Sequence, residues 1–294
     1  MVGRTGFEPA TFCTSSHTKK RQFDDVNITD LLNKFNEFQI VDLQRAERTA
    51  YEKVYYIRRF LKKTKLNPIQ VQVEDIRHYL RDLNCSNAVY KNVLGALKVF
   101  YRDFLDCPEL VSSFKFPRPT FKPKIVPTKK ELQEFFNIID SDVGKVLFLF
   151  YASSGLRKNE ILKLTPKNVI FEKRMIIPTG HNGATKSCYV SFYNSEAENA
   201  LTRINLGENK LFKVSDRQNK KIWKAARKKT GLNITPKRLR EWFCCEMGNL
   251  GVGDRYIDAF CGRTPKSVLA RYYTDYNPER LKKIYDDADL KVLI

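Results

Sequence analysis

The chain has 294 residues, long enough for two compact domains with sizeable cores. Its 53 lysines and arginines outnumber 33 aspartates and glutamates, giving a formal net charge of +20. The longest apolar run, Val146 to Ala152, is far short of the roughly 20 residues of a membrane-spanning helix, and the N-terminus lacks the apolar core of a signal peptide.

These features predict a soluble, cytoplasmic protein with no membrane partner. The cations fall in separated clusters, Arg58, Arg59, Lys62, Lys63 and Lys65 among them, then Lys220, Lys221, Lys224, Arg227, Lys228 and Lys229. That pattern is the footprint of a phosphate-backbone binder, with a merely basic surface as the plain alternative.

Residues 1–22 read as a flexible leader rich in glycine, serine and threonine. Ile28 to Phe38 is a first helix. From Leu43 to Leu61, Leu43, Ala46, Ala50, Val54, Ile57 and Leu61 recur at steps of three and four, the stripe of an amphipathic helix. After the Asn67-Pro68 break a third helix starts near Val73 with Ile76, Tyr79, Leu80 and Leu83. A fourth runs from Asn87 to about Leu105 with Tyr90, Leu94, Leu97, Tyr101 and Phe104 on one face. Residues 23–106 thus form a small helical domain.

Five prolines between Cys107 and Thr128 cannot continue a helix, so residues 107–128 read as a semi-extended linker. Residues 129–294 form the second domain. Lys129 to Ile139 and Val143 to Ala152 are helical, the latter apolar on all sides and therefore central. The period then changes. Val169 to Phe171 and Met175 to Ile177 flank Glu172-Lys173-Arg174 as a hairpin, and a third strand, Cys188 to Phe192, follows the turn Gly180-His181-Asn182-Gly183. Beyond it the chain reads as helical. The fold class is mainly α with a small three-stranded antiparallel sheet.

Seven cysteines, odd in number and without a C-x-x-C pair, argue against a disulfide framework and a structural zinc site. With only three histidines, a histidine-based metal cluster is nearly ruled out. One bridge stays open as a possibility.

Four segments carry the chemistry. They are Ser154-Gly155-Leu156-Arg157-Lys158-Asn159-Glu160-Ile161-Leu162, then Lys186 in the turn before the third strand, then Lys237-Arg238-Leu239-Arg240, and finally Cys261-Gly262-Arg263 followed ten residues later by Tyr273-Thr274. In this order they resemble the signature of tyrosine recombinases of the lambda-integrase type, and the likeness extends from about Leu43 to Tyr285. The resemblance implies a DNA integrase with a helical core-binding domain and an α-rich catalytic domain. Such an enzyme breaks and rejoins duplex DNA through a 3′-phosphotyrosine, as a tetramer around two DNA segments. It implies Tyr273 as nucleophile, with Tyr272 one step away as the alternative, and Lys186 as proton donor to the leaving 5′ oxygen.

Guanidinium groups suit the doubly charged phosphorane-like transition state, a role that falls to Arg157 and Arg240 with Arg263 assisting. Glu160, one turn after Arg157, reads as an anchor for a basic side chain. Read singly, each residue has a plainer fate: an i, i+3 surface pair for Arg157 and Glu160, a solvated turn lysine for Lys186, helix-surface charges for Lys237 and Arg240. DNA contacts are expected from Arg58, Arg59, Lys62 and Lys63, and His181 lies near Lys186. No metal, cofactor, ATP or small-molecule substrate is expected.

Two positions depart from the common pattern, since Lys237 and Arg263 stand where the family has histidines. Both keep a cation and lose a neutral imidazole. The same replacements look similar to those of integrases from archaeal spindle-shaped viruses and plasmids. Gly6-Phe7-Glu8-Pro9 back-translates to a sequence that accommodates GGGTTCGAACCC, the form of a transfer-RNA T arm, which suits an attachment site inside a tRNA gene. A type IB topoisomerase-like enzyme and a non-catalytic DNA-binding protein of the same fold are the competing readings.

Overall fold

A computed structural model describes residues 27–119, 123–178, 188–264 and 267–293. The expected leader, the glycine-rich turn, His181 and Lys186 lie outside the described residues. The chain divides into two compact units, one ending at Lys122 and one beginning at Pro123.

In the first unit, α1 (Ile28–Val41) is capped by Asn27, whose Oδ1 accepts from the Thr29 amide at 3.0 Å. Helix α2 (Glu47–Thr64) buries Ala50, Val54, Ile57, Phe60 and Leu61, the stripe its spacing predicts, extended by Phe60. It begins later than Leu43 because Gln44 takes a left-handed conformation, φ 48°, and turns the chain before the helix. Helices α3 (Val73–Arg81) and α4 (Asn87–Lys98) follow.

The fourth helix does not run on as an α-helix to Leu105. Residues Val99–Phe104 widen into a π-helical turn, with the Leu105 amide donating to the Phe100 carbonyl at 3.0 Å. The added residue per turn brings Phe100 into the core, edge-on to Phe35 at 5.0 Å between ring centres. The proline-rich stretch also begins differently from an extended linker. Pro108–Leu110 is a 3-10 turn, Val111 is buried in the first unit's core, and the Lys98 ammonium donates to the Val111 carbonyl at 2.8 Å.

In the second unit, α5 (Lys129–Ile138) opens on a reciprocal capping box between Thr128 and Glu131. Helix α6 (Asp142–Ser153) buries every residue from Val146 to Ser153. Each large apolar side chain there contributes roughly 1.5–3 kcal/mol by leaving water, which is why the helix sits at the centre. After α7 (Lys158–Leu162), the strands β1 (Val169–Ile170), β2 (Met175–Ile176) and β3 (Ser191–Phe192) pair antiparallel in the order β1-β2-β3. They are shorter than predicted because Phe171–Lys173 forms a 3-10 turn closed by left-handed Arg174, φ 47°.

Helices α8 (Ser195–Leu201), α9 (Asp216–Thr230), α10 (Pro236–Asn249), α11 (Asp254–Phe260), α12 (Val268–Tyr272) and α13 (Pro278–Asp287) complete the unit. Helix α10 packs on α6, and α13 is tied in by the buried Tyr285 hydroxyl, which donates to the Ser153 carbonyl at 2.8 Å. Among the described residues, no helix is long and apolar enough to cross a membrane.

Candidate active site

The site is built where the C-terminus of α6 turns into α7. Gly155 makes that turn with φ 65°, and a Cβ there would meet the Phe243 ring at 2.5 Å and the Cys261 sulfur at 3.1 Å, so only glycine fits. The turn delivers Arg157 to the N-cap of α7. The carboxylate of Glu160, at the third helical position, accepts from the Arg157 backbone amide at 2.5 Å and from its Nη1 at 2.8 Å. The same carboxylate lies 3.8 Å from Nη1 of Arg240 on α10. Glu160 therefore serves two arginines from two helices, one more than an i, i+3 surface pair would give. Arg240 is the more enclosed, its side chain 13% exposed.

A second scaffold comes from the end of α11. Gly262 is left-handed, φ 55°, its amide donates to the Ala259 carbonyl at 3.0 Å, and the Arg263 amide donates to the Asp258 carbonyl at 2.9 Å. These are the paired bonds of a Schellman motif, and they explain the glycine of Cys-Gly-Arg. The next two carbonyls then face the arginines. Arg240 Nη2 donates to the Cys261 carbonyl at 2.7 Å and Arg157 Nη2 to the Gly262 carbonyl at 3.2 Å.

Arg263 stands beside this pair without sharing Glu160. Its Nη1 donates to Asp258 at 2.8 Å and its Nη2 to the Cys244 sulfur at 3.2 Å. Cys244 lies one helical turn after Arg240, and its sulfur is 3.4 Å from that of Cys261. The shared hydrogen bond with Cys261 lowers the Cys244 thiol to about 6, burial opposes this, and the guanidinium groups of Arg263 and Arg240 add to it. The hydrogen bond with Cys244 and then burial push the Cys261 thiol up.

The other expected residues are placed differently. Lys237 points to solvent, 85% exposed, with Glu241 at 4.0 Å, and is not drawn into the cluster around Glu160. Tyr273 ends α12 with a ring 75% exposed, and Tyr272 beside it is 70% exposed under the Arg271 guanidinium. Thr274 donates its hydroxyl to the Leu269 carbonyl at 3.0 Å, and Tyr276 donates its hydroxyl to the Ala270 carbonyl at 2.5 Å. Cys188, three residues before β3, donates its thiol to the Phe260 carbonyl at 3.1 Å. Arg58, Arg59, Lys62 and Lys63 are exposed on α2, with Lys63 over the Tyr79 ring.

Several contributors escape a reading of the sequence. Asp258 and Cys244 hold Arg263, and only their helical spacing, four residues from Arg240 to Cys244, hints at a common face. On α2, Tyr51 and Tyr55 are exposed among the basic residues. A cavity of about 590 Å³ beside α9 and the start of α10 is lined by Lys158, Lys220, Lys224 and Arg227 with Trp223.

Comparison with known proteins identifies the family and the fold. The sequence pattern of the family "Archaeal phage integrase" matches residues 124–287, and that of "Phage integrase, N-terminal SAM-like domain" matches residues 31–108. The tyrosine recombinase XerA of Thermococcus onnurineus is 25% identical over 281 residues, covering 90% of this chain and 96% of its own. The XerA of Pyrococcus horikoshii is 25% identical over 285 residues, covering 92% and 97%. Among solved structures, lambda integrase bound to DNA superposes with a TM-score of 0.63 at 12% identity, covering 82% of this chain and 92% of that one. The Tn1549 transposon integrase in complex with circular intermediate DNA gives 0.59 at 17%, covering 87% and 98%. These two show the fold. With the family pattern spanning more than half of it, the chain belongs to the archaeal phage integrases and is a tyrosine recombinase.

Proposed function

We propose that the protein is a site-specific integrase that cleaves and rejoins duplex DNA through a phosphotyrosine formed by Tyr273. The observation that carries this reading is the convergence of Arg157 and Arg240 on Glu160, because it fixes two guanidinium groups from α7 and α10 side by side. Two planar forks so held match the nonbridging oxygens of one phosphate, where charge grows as the phosphorus becomes five-coordinate. Arg263 adds a third cation next to them.

In the cleavage step the Tyr273 phenolate oxygen bonds to phosphorus and the bond to the 5′ oxygen breaks. Lys186 supplies the proton that oxygen takes. Rejoining is the reverse, with a 5′ hydroxyl of the new strand attacking and the phenolate leaving. Side-chain cations and a conserved phosphoester bond energy make metal and ATP unnecessary. Lys237, solvent-facing on α10, supplies a further cation to the phosphate in this reading.

Both units contact the duplex in this reading, the first through Arg58, Arg59, Lys62 and Lys63 and the second through His181, and four protomers assemble on two DNA segments. The attachment site lies in a tRNA gene, as the codons of Gly6 to Pro9 suggest. The test is a nicked duplex bearing the T-arm sequence, incubated in EDTA with wild type, Tyr273→Phe and Tyr272→Phe. A covalent adduct lost only in Tyr273→Phe is expected. Absence of any adduct from the wild type on tRNA-derived or unrelated duplexes would instead indicate a non-catalytic DNA-binding protein.

A further inference from the structure

We propose that Cys244 is a peroxide-reactive modification site, resolved by Cys261 to a disulfide that withdraws support from the catalytic arginines. Its second half, the effect on cleavage, rests on the recombinase reading above. Its first half rests on the two sulfurs alone.

The geometry has the parts such a site requires. The reacting thiol must be reachable, close to cations that favour its thiolate, and next to a second thiol. Cys244 is half-buried, its sulfur accepts from Arg263 Nη2 at 3.2 Å, and the Cys261 sulfur lies 3.4 Å away. Cys261 is fully buried, so an oxidant meets Cys244 first. The lowered Cys244 thiol and the raised Cys261 thiol assign the same order, attacker and then resolver.

The reaction balances with a hydroperoxide as oxidant. The Cys244 thiolate sulfur attacks one peroxide oxygen, the O–O bond breaks, and the leaving oxygen departs as water after taking a proton, which leaves a sulfenic acid. The Cys261 sulfur then attacks the Cys244 sulfur, the S–O bond breaks, and hydroxide leaves as water with the Cys261 proton. Two thiols and one hydrogen peroxide give one disulfide and two waters.

The consequence follows from what these two residues hold. Joining the sulfurs draws them to about 2.0 Å, removes the anionic acceptor of Arg263, and moves the residue whose carbonyl anchors Arg240 Nη2 at 2.7 Å. Arg263 then keeps Asp258 alone among these partners. Oxidation therefore disturbs two of the three phosphate-binding guanidinium groups through one bond.

The experiment treats the full-length protein with increasing hydrogen peroxide, alkylates remaining thiols under denaturing conditions, and reads intact mass and peptide cross-links. Strand cleavage of the nicked duplex is measured in parallel. The expected result is a wild-type product lighter by two hydrogens with a Cys244–Cys261 cross-link. Cleavage should be slower by about 10²-fold, the scale of losing one positioned transition-state donor, and dithiothreitol should restore both mass and rate. Cys261→Ala should instead accumulate a sulfenic acid on Cys244, trapped by dimedone, and Cys85→Ser and Cys245→Ser should behave as wild type. Oxidation falling first on the exposed Cys85 or Cys245, or a cross-linked protein that cleaves as fast as the dithiol form, would overturn the proposal. Mass and trapping need no DNA, so a reduced protein that forms no adduct would count against the recombinase reading and leave the thiol chemistry to be decided on its own.

Discussion

Glu160→Gln is the sharpest perturbation of the site, because it keeps the side chain's shape and removes its charge. The wild-type carboxylate accepts from the Arg157 amide at 2.5 Å and from Arg157 Nη1 at 2.8 Å, and faces Arg240 Nη1 at 3.8 Å. Taking one partner from a fully buried ion pair costs about 3–5 kcal/mol. Here the Arg157 side chain is 32% exposed, and water recovers part of that cost. The amide also keeps one oxygen able to accept. A destabilisation of about 1–3 kcal/mol remains, which corresponds to a melting temperature lower by roughly 3–10 °C for a unit of this size. Catalysis should suffer more than stability does. A guanidinium displaced by about 1 Å costs on the order of 10²-fold in rate. Calorimetry of the DNA-free protein and single-turnover adduct formation on the nicked duplex give the two numbers. A variant that melts and cleaves like wild type would refute the shared-carboxylate argument. A lower melting temperature with an unchanged cleavage rate would make Glu160 a strut of the fold alone.

Gly155→Ala should be destabilised by about 2–4 kcal/mol, since a left-handed turn and a Cβ at 2.5 Å from the Phe243 ring combine strain with overpacking, and denaturant melts will show it. Lys53 is depressed to about 8 by burial, with the Arg45 charge adding to it. Its unfolded form therefore binds the proton more tightly, so this lysine costs stability at neutral pH and the cost fades as pH rises from about 8 toward its ordinary value near 10.5. Lys53→Met should accordingly raise the melting temperature at pH 7 and lose that advantage at alkaline pH. Cys188 has the opposite sign. Burial pushes its thiol up to about 12, so its contribution is intact below its ordinary value near 9 and is lost as pH rises toward 12. Cys188→Ala should show a flatter decline in urea midpoint above pH 9 than wild type.

The helices of the first unit were legible because a stripe at steps of three and four survives in any packing, as α2 shows with Ala50, Val54, Ile57 and Leu61. The π-helical turn at Val99–Phe104 was not, since nothing in the pattern of apolar residues distinguishes hydrogen bonds to the fifth residue back from bonds to the fourth until Phe35 is there to meet Phe100. The short strands were overdrawn for a related reason. Alternation continued into Phe171, but left-handed Arg174 closed the turn early. Within the candidate site, the motifs single out Arg157, Arg240 and Arg263 as expected phosphate binders, and the fold places all three around the turn that ends α11. What held them was invisible. Asp258 and Cys244 are ordinary helix residues until the fold brings the ends of α10 and α11 together, and Lys237 looked equivalent to Arg263 although one is solvent-facing and the other is held on two sides.

That inequality follows from the way the turn ending α11 holds the arginines of the candidate site. The Schellman turn ending α11 satisfies the helix with the amides of Gly262 and Arg263, and so leaves the carbonyls of Cys261 and Gly262 unclaimed by the helix itself. Those carbonyls carry the partial negative charge of a helix C-terminus, and Arg240 and Arg157 take one each. The third cation, Arg263, is the next residue along the same turn. One left-handed glycine thus registers all three guanidinium groups against one another. A histidine after that glycine could occupy the same place on the turn, but it could not make the two-sided contact that Arg263 makes with Asp258 and Cys244 through Nη1 and Nη2. Arg263 therefore fits these two partners as a forked side chain, whereas Lys237 has, among the described residues, the Glu241 carboxylate at 4.0 Å.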